Sequence, residues 1–321
     1  MINRSGMRMF LCIALFISIL SFSCTEDSTI EPARQEDITL EPPPFGMGVQ
    51  IGIPPFTIAQ GKEIQRNYYI TLPNDADIFV NKIEFRFNEG SHHCNVFKSD
   101  SITKPHGTYD DTFTAFDYTV WNMFCASQRE SLTWQLPEGV AIKLKAYQQI
   151  CIQSHYVNAS TQATPNARGK VLINFWTIPE SAMIAQAGLL FASNTRIIIP
   201  PHDSLQVRKY VKEIPWDTHL LTLTGHFHSR GRNFWAKRES TEEEIYRNTS
   251  WDEPPIKIFP DAGYFLPANE RIIYYSDYFN PSNDTVKMGP HVETEEHSNL
   301  FITFYPGPSD GKTIYDIDQG W

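Results

Sequence analysis

The sequence predicts an all-β chain: two tandem antiparallel β-sandwich domains, jelly-roll-like, preceded by a signal peptide and a flexible tether. Three observations predict it. Short runs rich in Ile, Val, Phe and Tyr recur from about residue 50, among them 68–72, 82–87, 142–146, 149–155, 170–175, 196–199, 220–223, 271–275 and 300–305. Several alternate in polarity, and Pro, Gly, Asn or Asp bound them, the pattern of half-buried strands closed by turns. No stretch beyond the N-terminal segment keeps a helical apolar period over three turns. The chain has 321 residues, 41% of them hydrophobic and 13% aromatic, more than one such domain usually needs.

Taken in order, the elements begin with Arg4 and Arg8 ahead of an apolar run over 9–20 (MFLCIALFISIL). A basic start and a short apolar core read as a secretory signal, too short for the ~20 helical residues that span a bilayer. Ser21-Phe22-Ser23-Cys24 is a loose lipobox, so residues 1–23 are expected to be removed and Cys24 acylated, anchoring the exported chain to a bacterial membrane. An ordinary signal with an incidental cysteine stays open. Residues 24–49 are acidic and Pro-rich without apolar period, as in a solvated tether. Domains are then expected over 50–190 and 191–321, with the boundary near 186–194. The one helical candidate is 240–247 (STEEEIYR), where Ser, Thr and Glu suit a helix start.

The formal net charge is −10, and no basic stripe exists to release counterions from phosphates, which argues against a nucleic-acid partner. Of five cysteines, Cys94, Cys125 and Cys151 remain after the signal and Cys24. Three allow at most one disulfide, and Cys94 with Cys151 is the preferred pair because both lie beside histidines.

The chemistry sits in the histidines. Six of the ten fall in compact groups: His92-His93, His155, His226-Phe227-His228, and His297. Adjacent strand residues face opposite sides, so His92 and His93 share a metal only if the strand is distorted, and Asn88-Glu89-Gly90-Ser91 supplies a break. His226 and His228, two apart, can share a face. Imidazole suits copper, zinc, iron and nickel, and an exported chain favours copper or zinc. His106, His202, His219 and His291 have no partner motif and read as ordinary surface or core residues.

In order along the chain stand His92-His93, Leu136-Pro137-Glu138-Gly139-Val140 leading to Gln153-Ser154-His155-Tyr156, and His226-Phe227-His228-Ser229-Arg230-Gly231. Pro200-Pro201 and Trp216 precede the third group, and Glu296-His297-Ser298-Asn299-Leu300-Phe301-Ile302 follows it. From about residue 50 to 306 this resembles the copper type II, ascorbate-dependent monooxygenases, relatives of peptidylglycine α-hydroxylating and dopamine β-monooxygenases. The resemblance implies two β-sandwich domains, each holding one copper, facing across a solvent-filled cleft. It implies His92, His93 and His155 on an electron-transfer copper, and His226 and His228 on an oxygen-activating one. It also implies two coppers per chain, ascorbate or another reductant, O2, and a small-molecule or peptide-like substrate hydroxylated at a C–H bond. Oligomeric state is not implied.

One departure matters. Where the family carries a methionine ligand, this chain has His297, a harder donor that suits Cu(II) and Zn(II) and lowers the copper potential. Met288 is an alternative ligand if the 288–296 loop folds back. Cys94 could add sulfur, Tyr156 reads as packing, and Arg230 is either an orienting residue or an exposed turn residue. Three functions stay open: a copper monooxygenase with His226, His228 and His297 as its catalytic site, a non-catalytic copper-handling lipoprotein, or a zinc hydrolase on the same three histidines.

Overall fold

A computed structural model describes residues 37–113, 117–158 and 167–318. The signal segment and Cys24 lie outside the described residues. The described part is all-β, and its one helical turn is a 3-10 turn at Glu180–Ala182. These residues pack as one unit built of four sheet layers.

The first half is a sandwich. One sheet runs Gly48–Ile58, Ala167–Ile178, Ile78–Phe87, Val140–Leu144, Ala185–Gln186, with Ser131–Gln135 also paired to Ile78–Phe87. The other runs Thr108–Asp111, Glu63–Thr71, Gln149–Val157, Ser91–Ser99, Asn122–Ser127. Period-2 alternation aims Ile83, Phe85, Val171 and Ile173 from one sheet at Val96, Ile150 and Ile152 from the other. The second half repeats the plan. A six-stranded sheet built around Thr218–His226, Asn299–Tyr305 and Gly188–Ser193 covers a four-stranded one in which Ile272–Phe279 and Gly231–Arg238 are central. Leu190, Leu223, Leu300 and Ile302 meet Val207, Phe234, Ala236 and Tyr274 between them.

The middle layers are buried on both faces, which positions the site. In Gln149–Val157, residues 150, 152, 154 and 156 face the first core, while Cys151, Gln153 and His155 face away from it. That outer face meets the six-stranded sheet of the second half through Tyr69, Phe97, Trp121, Met123, Cys151 and Leu189.

Three expectations change. Residues 240–247 do not form a helix: Glu244–Asn248 is a strand paired with Gly231–Arg238, and Glu242 closes the hairpin at φ 55°. Burial of Ile245 and Tyr246 in the second core outweighs the helix-start signal. The described end of the tether is docked, not solvated, since Leu40 and Glu41 carbonyls accept from Gln50 and Asn174 side chains. Among the described residues, Cys94, Cys125 and Cys151 are free and buried. Cys94 pairs in register with Ser154 and Cys151 with Phe97, three positions apart and on opposite faces of the sheet, so a Cys94–Cys151 disulfide has no geometry.

Candidate metal centre

The first three histidines meet at one end of the middle layer. His93 stands directly opposite His155 across paired strands, its Nε2 3.3 Å from His155 Nδ1. The register shifts between Ser91 and His93, so His92 is the extra residue of a β-bulge. The bulge supplies the distortion that neighbouring ligands need: the rings of His92 and His93 lie 5.5 and 5.0 Å from that of His155.

The other three come from the facing sheet. His226 ends the Thr218–His226 strand opposite Asn299, and His228 lies in the turn that follows. A Cβ on Gly231 would collide with the Phe227 ring, so glycine is what lets this turn close. Its backbone is gripped by the fully buried Glu296 carboxylate, which accepts from the amides of His228 at 2.8 Å, Arg230 at 2.6 Å and His297 at 3.3 Å. Burial pushes the Glu296 carboxyl up to about 7, against the pull of those donors. The His297 ring sits 4.2 Å from His228 and 5.5 Å from His226, so these three are together.

The two groups are in contact. The His92 ring is 5.0 Å from His226 and 5.6 Å from His228, and His93 is 5.9 Å from His226. One ligand nitrogen each from His92, His226 and His228 fall within 4.8 Å of one another. The resemblance implies two separate trios across a cleft; here the six histidines form one cluster, five of them buried and His297 half-buried.

The ring nitrogens are prepared for ligation. His155 Nε2 bonds Glu63 Oε1 at 2.8 Å, turning Nδ1 inward. His228 Nδ1 donates to the Glu295 carbonyl at 3.0 Å, leaving Nε2 inward. The Gln128 amide nitrogen meets His226 Nδ1, and His226 Nε2 is left without a partner. His92 Nε2, His93 Nδ1, His226 Nε2, His228 Nε2 and His297 Nδ1 are all buried with no hydrogen-bond partner. A buried polar nitrogen left unpaired costs about 1–3 kcal/mol, so five within one histidine cluster, three of whose members bring ligand atoms together, are a strong case for an occupant. Burial, then the neighbouring imidazoles, holds His92, His93, His226 and His297 well below the usual histidine range; burial takes His228 to about 4 against the Glu295 carbonyl. At neutral pH these rings are neutral with lone pairs free, the form that binds Cu or Zn. The donor set fits such an ion.

Sequence reasoning did not find the supporting residues. Burial works to raise Glu63, but hydrogen bonds from His155, His291 and the Val292 amide outweigh it and hold the carboxyl at about 2. His291, read as an ordinary residue, is therefore linked to the centre through Glu63, at 3.1 Å, with its ring 4.7 Å from Phe113. No spacing rule connects residues 63 and 291; only the packing of the halves does. Met288 folds back to bridge Glu296 and shares a cavity wall with His297. Cys94 points into the first core, where burial pushes its thiol up, so it offers no sulfur. Tyr156 packs edge-on to Phe56 and donates to the Lys170 carbonyl. Arg230 serves through its backbone amide on Glu296. His106, His202 and His219 lie elsewhere, on Thr71, Asn283 and Tyr305.

No family model matches the chain, and no curated protein matches it. Among solved structures, it is similar at 8% identity to a candidate secreted protein from Parabacteroides distasonis ATCC 8503, covering 80% of this chain and 88% of that one at a TM-score of 0.20. The PBCV-1 virus capsid matches at 7% identity over 83% and 95%, TM-score 0.25. The CBM22-1–CBM22-2 tandem domain of Paenibacillus barcinonensis Xyn10C matches at 8% over 80% and 86%, TM-score 0.15. Superpositions this loose transfer neither a topology nor a site.

Proposed function

We propose that this chain is an exported, lipid-anchored copper protein that hydroxylates a C–H bond with O2 and a reductant such as ascorbate. The observation that carries the reading is the convergence of His92, His226 and His228, with His93, His155 and His297 around them and five of the six rings holding a buried, unpartnered nitrogen. Bound copper would supply reversible one-electron chemistry, passing two electrons from the reductant to O2 so that one oxygen atom ends in the C–OH product and the other in water. The chain's own residues do the rest. His92, His226 and His228 would hold the ion; Glu63 and the Glu295 carbonyl set which nitrogen of His155 and His228 is left for it. The burial of His92, His93, His155, His226 and His228 keeps bulk water off the centre, while a cavity touching His93, His226 and His297 gives a substrate access. Export and anchoring at Cys24 rest on the N-terminal signal, and an exported copper enzyme meets O2 without the reducing cytosolic pool.

A second reading, copper handling without oxygen chemistry, is favoured by His297, whose ring lies 4.2 Å from His228 where the resemblance implies a thioether. Metal analysis and oxygen uptake separate the two. The monooxygenase reading expects copper bound, reduced by ascorbate, and oxygen consumption that depends on added substrate. Copper bound without uptake supports handling. Zinc retained with little affinity for copper overturns both. His297→Met is expected to raise the copper reduction potential, because a thioether favours Cu(I) over Cu(II).

A further inference from the structure

The outer faces of the two middle sheets do not close completely. Between them lies a cavity of about 380 Å³ whose walls include His93, His226 and His297. Its size falls in the ~300–1,000 Å³ range of small-molecule sites. Among the described residues no Asp, Glu, Lys or Arg lines it. The body of the wall is aromatic, with Phe97, Phe191 and Phe301 prominent. Its polar groups are all uncharged amides, hydroxyls and imidazoles, and several satisfy one another: Asn95 donates to Gln153 at 3.0 Å and Gln65 to the Thr112 carbonyl at 2.9 Å. Two wall oxygens do not. Gln128 Oε1 and Asn299 Oδ1 are buried with no donor, and Asn299 is only 7% exposed.

We infer that this cavity binds an uncharged, aromatic-bodied small molecule that brings N–H or O–H donors to Gln128 and Asn299. A carboxylate or an ammonium entering would lose its hydration and find no countercharge, a cost that an aromatic wall does not repay. A neutral amide or hydroxyl loses far less and fills two acceptors that are otherwise empty. The aromatic rings meet the apolar body by stacked and edge contacts. The inference rests on the metal-centre reading for what happens to the ligand, since cavity and cluster share three histidines. Binding itself does not need the metal.

The test uses the full chain, stripped of metal, and three probes of one size: phenylacetamide, phenylacetate and 2-phenylethylammonium. Affinities come from calorimetry or ligand-observed NMR. Phenylacetamide is expected to bind at least about tenfold more tightly than either ion, a gap set by uncompensated charge burial. Gln128→Leu is expected to weaken phenylacetamide roughly threefold to tenfold, the worth of one neutral hydrogen bond, with Asn299→Leu doing the same. Thermal melts of both variants establish folding, and if one fails to fold the other carries the test. Preference for either ion, or no binding by any probe, overturns the inference. Copper stoichiometry is measured on the same preparation. Phenylacetamide bound without copper affinity sinks the metal reading and leaves this one standing; copper bound with charged probes preferred does the reverse.

Discussion

His92, His93 and His155 lie within strands, whereas His226 ends one, His228 sits in the turn after it and His297 comes just before another, and the two groups are held by different means. In the first, orientation comes from a side chain: the Glu63 carboxylate, which also reaches His291 and the Val292 amide on the other half of the molecule. In the second it comes from the backbone, with the Glu295 carbonyl on His228 Nδ1 and three amides clamped by Glu296. Similar donors are thus positioned once by charge and once by scaffold. The first arrangement is sensitive to substitution and to closure of the two halves; the second is written into the turn itself.

The largest effect tests whether the groups are one centre. His226→Ala and His228→Ala should each weaken metal binding by more than the ~10–100-fold that an orienting partner contributes. His92→Ala should weaken binding at the same metal, because its nitrogen joins theirs within 4.8 Å. Two separate sites predict otherwise: His92→Ala would then leave the His226–His228 metal at wild-type affinity, and titration calorimetry on the three variants decides it.

Next comes the contrast between charge and scaffold. Glu63→Gln should lower metal affinity about 10–100-fold, since it removes the carboxylate that fixes the His155 ring. Glu295→Gln should change affinity by less than about twofold, because His228 leans on the residue's backbone carbonyl, not its side chain. Equal losses in the two variants would erase the distinction.

A smaller effect lies at the far end of the strand that begins with His92 and His93. Lys98 is buried, with Nζ donating to the Lys143 carbonyl at 3.1 Å, and burial takes it from 10.5 down to about 8. The unfolded chain therefore holds more protons than the folded one between pH 8 and 10.5, so stability rises with pH across that window. Below pH 8 the penalty is complete, about 3 kcal/mol. Lys98→Met should remove it while leaving the Lys143 carbonyl without its donor, a net gain of about 1–2 kcal/mol at pH 7. Denaturant melts should show that gain shrinking toward pH 10.5; a loss of stability at pH 7 would mean that the charge is compensated.

How far the sequence reached follows from the same packing. Alternation in 82–87 and 149–155 was legible because each strand has one face in a core, and the ligand groups were legible as clusters of histidines. The break before His92 pointed to a distortion that the structure realises as a bulge. Glu63, Gln128 and His291 carried no local signal, since their roles exist only where the halves meet. The outer faces of the middle sheets read as polar, solvent-side positions, yet Gln153 and Asn299 are buried there by a second layer. Residues 240–247 misled for the opposite reason: a true helix-start composition was overruled by a neighbouring strand.

The smallest expected effect concerns the cysteines, and it tests the register that brings His93 opposite His155. The same ladder pairs Cys94 with Ser154 and Phe97 with Cys151. Three positions along a strand amount to ~10 Å, beyond the ~7 Å that a disulfide spans between Cα atoms. Burial pushes all three thiols up, so none is a ready nucleophile. Iodoacetamide should leave Cys94, Cys125 and Cys151 unmodified in the folded protein and label each after unfolding without reductant. The melting temperature should be unchanged by a reducing agent. A Cys94–Cys151 peptide recovered by mass spectrometry would require the two strands to slide by three residues. That shift would put His155 opposite Gly90, beyond the strand's start and away from His93, and dismantle the first half of the metal centre along with the register.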